Sequence, residues 1–278
     1  STLFPYTTLF RSDSVYSFNQ PIERWNVSNV YNMRAMLYFA KSFNQPLNSW
    51  NVSNVYTITC MFGGAKSFNQ PLDKWDTSGI QEMAYAFSEC YEFNQNIDSW
   101  DTSQVTYMDG MFDRAICFNQ PLNSWKTGNV KFMRRMFCGA SSFNQPLDQW
   151  DVSRVETAEM MFKNATSFSQ PLGMWQISRD CDVNEMFLDA PHFTDVKILT
   201  LNFAHTNKMR YREYLKKVLG RLDAAQVYVE LLRYSDKYSA KYKRELETAH
   251  LELKAPVRTA TGTGKHKPRS KKELIELL

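Results

Sequence analysis

The sequence has 278 residues, of which 43% are hydrophobic, and a formal net charge of +4. No apolar run approaches the roughly 18 residues that a membrane-spanning helix requires, which excludes a transmembrane helix. The five cysteines stand at five different positions of the repeat described below, and an odd number without regular spacing argues against a disulfide framework and against a zinc site.

The first segment, residues 1–12, reads STLFPYTTLFRS. Residues 2–12 match the translation of a widely used sequencing adapter in one reading frame. We therefore interpret residues 1–12 as an artefact and exclude them from the fold. If the true N-terminus is missing, the lack of a signal peptide here says nothing about secretion, and we leave the compartment open.

Residues 13–193 form seven repeats of 25 residues and the start of an eighth. A fixed period of this size is typical of a solenoid, in which each repeat is one supersecondary unit. The tryptophans recur at Trp25, Trp50, Trp75, Trp100, Trp125, Trp150 and Trp175. A glutamine recurs in step at Gln20, Gln45, Gln70, Gln95, Gln120, Gln145 and Gln170. A phenylalanine of the FNQ motif keeps the same interval up to Phe193, so the coils should stack with like residues in columns.

Burial explains why the coils need one another. One repeat offers roughly four to six large apolar side chains, each stabilising by about 1.5–3 kcal/mol when buried. Ordering the repeat costs about 1.5 kcal/mol per residue, so a single coil should not fold alone. Stacked coils bury each other's open faces. The aligned Asn and Gln side chains should form structural ladders that satisfy turn backbone groups.

Within one repeat, taken from Phe43 to Ala65, the pattern predicts a short strand followed by a short helix. Trp50 and Val52 alternate with polar neighbours, as in a strand with one buried face. Ser53 is placed as a helix N-cap. The apolar residues that follow it recur at helical spacing, over about two turns: Val55, Ile58, Met61 and Phe62. The strands should form one parallel sheet along a side of the solenoid.

These residues carry a family resemblance. The stretch FNQPLNSWNVSNVYTITCMFGGA resembles the repeats of BspA-like leucine-rich-repeat surface proteins, in particular the 25-residue repeat of mycoplasma surface lipoproteins. The resemblance covers about 17–193 and departs locally, for example at Asn96, where the pattern has Pro. It implies an α/β repeat solenoid, a right-handed leucine-rich-repeat-like coil with parallel strands on one side and short helices on the other. It also implies adhesion or protein contact at a cell surface or outside the cell, and no catalytic residues.

The chain beyond the repeats differs in charge. The stretch 18–193 has 13 Lys and Arg against 18 Asp and Glu, a net −5, whereas 194–278 has 19 against 10, a net +9. Apolar residues at helical spacing predict a helical cap or small helical region at 194–254. Residues 255–278 are predicted to be a basic flexible linker followed by a helix cut short at the last residue. The basic tail makes nucleic acid an alternative partner, and such binding should weaken steeply with salt.

No arrangement of residues indicates catalysis or a cofactor. The four histidines have no metal-ligand partner at helical spacing, and TGTGK at 261–265 lacks the spacing of a phosphate loop. We therefore expect a non-enzymatic scaffold, without metal or cofactor, that binds an unidentified protein or surface ligand. The candidate binding face comprises the outward residues that flank the tryptophans: Arg24, Asn26, Ser49, Asn51, Lys74, Asp76, Ser99, Asp101, Ser124, Lys126, Gln149 and Asp151. The alternative for these residues is a merely solvated surface.

Overall fold

The computed structural model describes residues 15–178 and 180–193. The chain divides into two units, Ser1–Phe193 and Thr194–Leu278. The expectations for residues 1–12, 194–254 and 255–278 fall outside the described residues. Throughout the described part, the 25-residue period is also the structural period, because equivalent residues of successive repeats contact each other across coils.

The prediction of an α/β solenoid with a sheet and helices is wrong. The described residues contain almost no helix and almost no strand, and no helix in them is long and apolar enough to cross a membrane. Within 15–178 and 180–193, strand pairing is limited to single-residue parallel bridges, one per coil, with no continuous sheet. These bridges join, in order, Asn32, Thr57, Glu82, Tyr107, Phe132, Thr157 and Asp182.

The segment predicted as a helix is instead a row of tight turns. Every second N–H bonds to the next coil, as in Ile58 N to the Glu82 carbonyl at 3.0 Å and Cys60 N to the Ala84 carbonyl at 2.8 Å. The alternate N–H groups close four-residue β-turns, as in Met61 N to the Ile58 carbonyl at 2.9 Å. An α-helix would need these donors for bonds four residues back within the same segment. Half of these N–H groups donate to the next coil instead, so an α-helix cannot form here.

Two columns of residues with positive φ interrupt this row in every coil. One contains Cys60 at φ 57°, and the other, four residues later, contains Gly64 at φ 75°. Positive φ at the third residue is what a type II turn requires, and it reverses the chain direction locally. Most of these positions are not glycine, so the inter-coil hydrogen bonds must offset a conformational cost of about 1–3 kcal/mol at each.

The segment around the tryptophan has the predicted alternation but is not a strand. Trp50 and Val52 are buried, whereas Ser49 and Asn51 are exposed. Turns enclose it, with Trp50 N bonded to the Leu47 carbonyl at 3.0 Å. Side chains rather than backbone groups bridge the coils here, because the indole N–H of Trp50 donates to the carbonyl of Ile22 in the preceding coil at 3.2 Å.

The core consists of columns of stacked aromatic rings. The FNQ phenylalanines stack coil upon coil with ring centroids 5.8–6.0 Å apart. A second phenylalanine column, including Phe112, lies against it, with Phe112 and Phe118 only 4.0 Å apart. The tryptophans from Trp50 to Trp175 are 2–4% exposed. Each ring is thus covered by its counterparts above and below, and no coil has a core of its own.

Candidate functional site

The residues of the predicted binding face lie on an exposed surface of the described coils. All twelve of its residues are exposed except Asp101, which is half-buried. They form two columns, one residue before and one residue after the buried tryptophans. The column before the tryptophan, which includes Arg24, Ser49 and Lys74, varies in size and charge from coil to coil. The structure brings the twelve side chains together on one side of the stack.

The column after the tryptophan holds the turn that follows it. The Oδ1 of Asn26 accepts hydrogen bonds from Ser28 N at 3.1 Å and Ser28 Oγ at 2.7 Å, and Asp76 accepts the same pair from Ser78. The serine predicted as a helix N-cap is therefore the donor, and the Asn or Asp is the acceptor of a local turn. The sequence pattern did not predict that the Asn or Asp is the acceptor of this turn, because Asp and Asn occur equally at caps, turns and binding surfaces.

These turns affect the electrostatics of the face. The hydrogen bonds from Ser78 Oγ and Ser78 N lower the pKa of Asp76, and those from Ser153 lower the pKa of Asp151. The Ser103 backbone N–H does the same for the pKa of Asp101. The three carboxylates are therefore held ionised at neutral pH. The face carries fixed negative charge in its middle and later coils.

A concavity of about 800 Å³ opens on this face across three successive coils. Three carboxylates line it, from Asp73, Asp98 and Asp101, against one ammonium, from Lys126, which lies 4.0 Å from Asp101. Asn96, the departure from the Pro of the other repeats, also lines it and turns its Oδ1 onto Asp98 N at 2.9 Å. The remaining residues that line the concavity are Pro71, Gln95, Ser99, Trp100 and Ser124.

The Asn and Gln columns form a ladder on the same side of the coil. Gln95 Nε2 donates to the backbone carbonyl of Asn69 at 3.0 Å and to its Oδ1 at 2.9 Å. The backbone N–H of Asn94 donates to the same Oδ1 at 2.9 Å. The pattern recurs from coil to coil, and the amides are half-buried or exposed rather than fully buried. Each Asn side chain thus holds the coil that follows it.

The opposite side of each coil, 31–40 and its equivalents, carries contacts that sequence reasoning missed. Asp113 is buried and accepts a bidentate hydrogen bond from Arg135 in the next coil, with the shortest distance 3.0 Å. Burial raises the pKa of Asp113, which Arg135 partly offsets. Arg114 pairs with Glu89 at 2.9 Å and Lys163 with Glu185 at 2.6 Å. A spacing of 22 or 25 residues between opposite charges was the available signal.

The described residues hold little that would serve catalysis. No group of three or more His, Cys, Asp or Glu side chains among them could hold a metal ion. Burial raises the pKa of the Cys90 thiol and raises that of Cys181 to about 11, so these thiols are protonated at neutral pH. The basic residues at 255–278, on which nucleic-acid binding would depend, fall outside the part of the chain that the structure describes.

Comparison with known proteins gives one match. Residues 6–97 and 81–201 match the sequence model of a family described as Mycoplasma protein of unknown function, DUF285. No curated protein and no solved structure matches the chain. The two matched segments overlap and together span all the described coils. Because they also cover well over half of the sequence, the chain belongs to this Mycoplasma family of unknown function.

Proposed function

We propose that this protein is a non-enzymatic repeat scaffold that binds a protein or surface ligand through the face beside the tryptophans. The observation that carries the proposal is the concavity on that face, which spans three coils. Its lining combines residues common to the repeats, such as Trp100, with residues that vary between repeats, such as Ser99 and Lys126. Variation set on a constant frame is how solenoids form extended binding surfaces.

The charge of the concavity indicates the chemistry of the partner. Three carboxylates face one ammonium, and the amides of Gln95 and Asn96 add further acceptors and donors. A partner segment with Lys or Arg side chains would complement this potential and would associate faster at low ionic strength. The surface role implied by the BspA-like resemblance supports the same proposal.

Two features support the absence of catalysis in this proposal. The protonated thiols of Cys90 and Cys181 are poor nucleophiles at neutral pH, because the thiolate is the reactive form. The aspartates of the face, such as Asp76, are committed to turns. The alternative of nucleic-acid binding rests on 255–278, and no observation among the described residues favours it.

The column that precedes the tryptophan offers a matched pair of variants. Ser49 and Ser99 occupy equivalent places, and each Oγ donates to a carbonyl of the preceding coil at 3.3 Å. Only Ser99 lines the concavity. Because Arg24 and Lys74 occupy the same column, an arginine fits there without disturbing the stack.

The test titrates the fluorescently labelled full chain onto immobilised peptides that vary in Lys and Arg content and onto a panel of surface glycoproteins. Ser99→Arg should weaken binding to any captured ligand by about tenfold or more, an effect of about 1.4 kcal/mol, whereas Ser49→Arg should leave it unchanged. Equal effects of the two variants, or no saturable binding to any peptide or glycoprotein, would contradict the proposal.

A further inference from the structure

The fourth coil, residues 93–117, differs from the other coils in one backbone group of the concavity. The fourth coil has Asn96 where the other six have proline, at Pro21, Pro46, Pro71, Pro121, Pro146 and Pro171. Because proline has no N–H group, only the fourth coil has a backbone donor at this position. Asn96 is exposed, lines the concavity, and its N–H donates to no described residue. The coils on both sides of it are described, so this donor lies within the stack and not at its boundary.

A second departure lies in the column of residues that stand two places before the tryptophans. Twice in this column an amide lies beside a carboxylate: Asn48 Nδ2 donates to Asp73 Oδ1 at 2.8 Å, and Asn123 Nδ2 to Asp148 Oδ1 at 3.1 Å. Asp73 and Asp98 instead follow each other in adjacent coils. No described Lys or Arg forms an ion pair with either of them. Like charges at adjacent positions are destabilising, so a cation from a partner would be favoured here.

Of these two carboxylates, Asp73 has an oxygen to spare. Asp98 accepts at both oxygens from Ser124, from its N–H at 3.0 Å and from its hydroxyl at 2.8 Å. Asp73 Oδ1 accepts the bond from Asn48, whereas Asp73 Oδ2 accepts from no described residue. The N–H of Ser99, which is equivalent to that of Ser124, donates to no described residue either. The concavity therefore presents one spare carboxylate oxygen beside two spare backbone donors.

This set of groups matches an extended polypeptide segment with a basic side chain. The backbone carbonyls of such a segment accept hydrogen bonds from N–H groups, and a Lys or Arg side chain supplies charge-assisted bonds to carboxylates. A neutral saccharide would satisfy the donors but would leave the adjacent carboxylates without a cation. An anionic ligand would be repelled by the three carboxylates that line the concavity.

We infer that Asn96 makes the fourth coil the recognition point for an extended basic segment of the partner. A backbone carbonyl of that segment accepts the Asn96 N–H, and its Lys or Arg side chain binds at Asp73 and Asp98. The inference rests on the proposed function, because it concerns the same concavity. Backbone hydrogen bonds then contribute affinity and the basic side chain contributes specificity, as in other modes of peptide recognition.

The experiment measures binding of a fluorescently labelled peptide of alternating Arg and Gly to the full chain by anisotropy. Asn96→Pro restores the residue of the other six coils, so it should leave the melting temperature unchanged while removing the donor. It should weaken binding of the Arg-Gly peptide about five- to tenfold. Asn96→Ala is the matched control, because it removes the side chain but keeps the N–H, and it should bind as the parent does.

Two further measurements test the charge and the class of ligand. Asp73→Asn, which places in this column the residue found at Asn48 and Asn123, should weaken binding and reduce its dependence on salt. A chitosan oligomer, which is cationic but not a polypeptide, should bind more weakly than the Arg-Gly peptide.

The outcomes separate this inference from the proposed function. If Ser99→Arg blocks the Arg-Gly peptide but Asn96→Pro binds it as the parent does, the inference fails and the proposed function stands. The inference also fails if Asn96→Ala loses as much affinity as Asn96→Pro, if the chitosan oligomer binds more tightly, or if the Arg-Gly peptide does not bind. Failure of every peptide and glycoprotein of the panel above would remove both.

Discussion

The two sides of each coil differ in how far their side chains repeat from one coil to the next. The side that contains the Phe, Gln and Trp columns repeats the same residues and the same bonds in nearly every coil. The turn side, 31–40 and its equivalents, keeps a uniform backbone and repeats its buried residues, such as Phe112, but changes its outward side chains from coil to coil. Stacking energy and neighbour specificity are therefore separated in this molecule. The shared buried columns make the coils stack, and the outward side chains of the turn side distinguish one neighbour from another.

The turn side achieves this by matching large residues to small ones. A Cβ at Gly63 would lie 2.9 Å from the ring of Tyr38 in the preceding coil, and one at Gly110 would overlap the ring of Tyr85. The Asp113–Arg135 ion pair adds matching of charge. Identical columns do not distinguish one coil from the next, whereas these pairs match particular neighbouring coils to each other.

The largest effect should come from emptying a shared column. Phe112 is fully buried between Phe87 and Phe137, so Phe112→Ala should destabilise the protein by about 3–5 kcal/mol. Tyr107→Ala is the control for an outward position of the turn side, because Tyr107 is 42% exposed and, among the described residues, its ring contacts that of Phe132 alone. Urea unfolding measures both. Similar losses for the two variants would mean that the shared buried columns do not dominate stacking.

The next effect tests the size matching. Gly110 has φ 54°, and its column already holds other residues at such φ values, for example Cys60 at 57°. The clash with Tyr85 should therefore decide the cost of Gly110→Ala, which we expect at about 2–3 kcal/mol.

A double-mutant cycle separates the clash from the backbone strain. In a Tyr85→Ala background the cost of Gly110→Ala should fall by at least about 1 kcal/mol, measured by thermal unfolding. Gly128→Ala is the control, since its nearest neighbour is the Asp151 carboxylate at 3.2 Å and its φ is not positive, and it should stay within about 0.5 kcal/mol. Additive effects at 85 and 110 would remove the evidence for matched pairs.

The sequence predicted the shared side well and the turn side poorly. Period, columns and the inward positions of Trp50 and Val52 followed from repetition alone. The helix was wrong because Val55, Ile58, Met61 and Phe62 are spaced as on a helix face, and all are indeed buried. Burial spacing cannot reveal whether alternate N–H groups bond within the coil or to the next one. That choice depends on contacts 24 residues away.

The candidate binding face likewise depends on contacts between coils that the sequence pattern does not reveal. Its outward residues could be read from alternation, but the concavity around Asn96 depends on the side chains that three coils place together. A spacing of 22 residues was a signal for the pairing of Arg135 with Asp113, but it did not single out this pair, because many opposite charges in the repeats lie at comparable spacing. Repetition locates columns, whereas the depth of a surface depends on residues that differ within a column.

A smaller effect tests the amide ladder of the shared side. Gln95→Leu removes two hydrogen bonds to Asn69 and leaves half-buried acceptors, so a loss of about 1 kcal/mol is expected. Gln20→Leu changes the same column where Nε2 donates to no described residue, and it should change stability by less than about 0.5 kcal/mol. Both are measured as shifts in the urea midpoint at constant slope. An equal loss at Gln20 would show that the ladder bonds contribute nothing specific.

The smallest effect concerns the turns of the candidate face. The pKa values of Asp76, Asp101 and Asp151 are lowered in the folded protein by hydrogen bonds from the following serines. Their stabilisation is therefore present above the ordinary aspartate pKa of about 4 and is lost as the pH falls through the lower folded values. The triple variant Asp76→Asn, Asp101→Asn and Asp151→Asn should keep the turns, since Asn26 and Asn51 accept the same bonds.

The variant should thus unfold near the wild-type temperature at pH 7. It should lose less stability as the pH falls below the ordinary aspartate pKa of about 4 and the three carboxylates of the wild type become protonated. The fall in the unfolding temperature of the wild type at acidic pH, which we call its acid limb, is not a sufficient test by itself. Burial raises the pKa values of Asp109 and Asp113 on the turn side, so protonation of those two groups favours the folded state and opposes the effect. The difference between the two proteins isolates the face, because both carry the same turn side. Parallel acid limbs would show that these turns do not distinguish a charged carboxylate from a neutral amide.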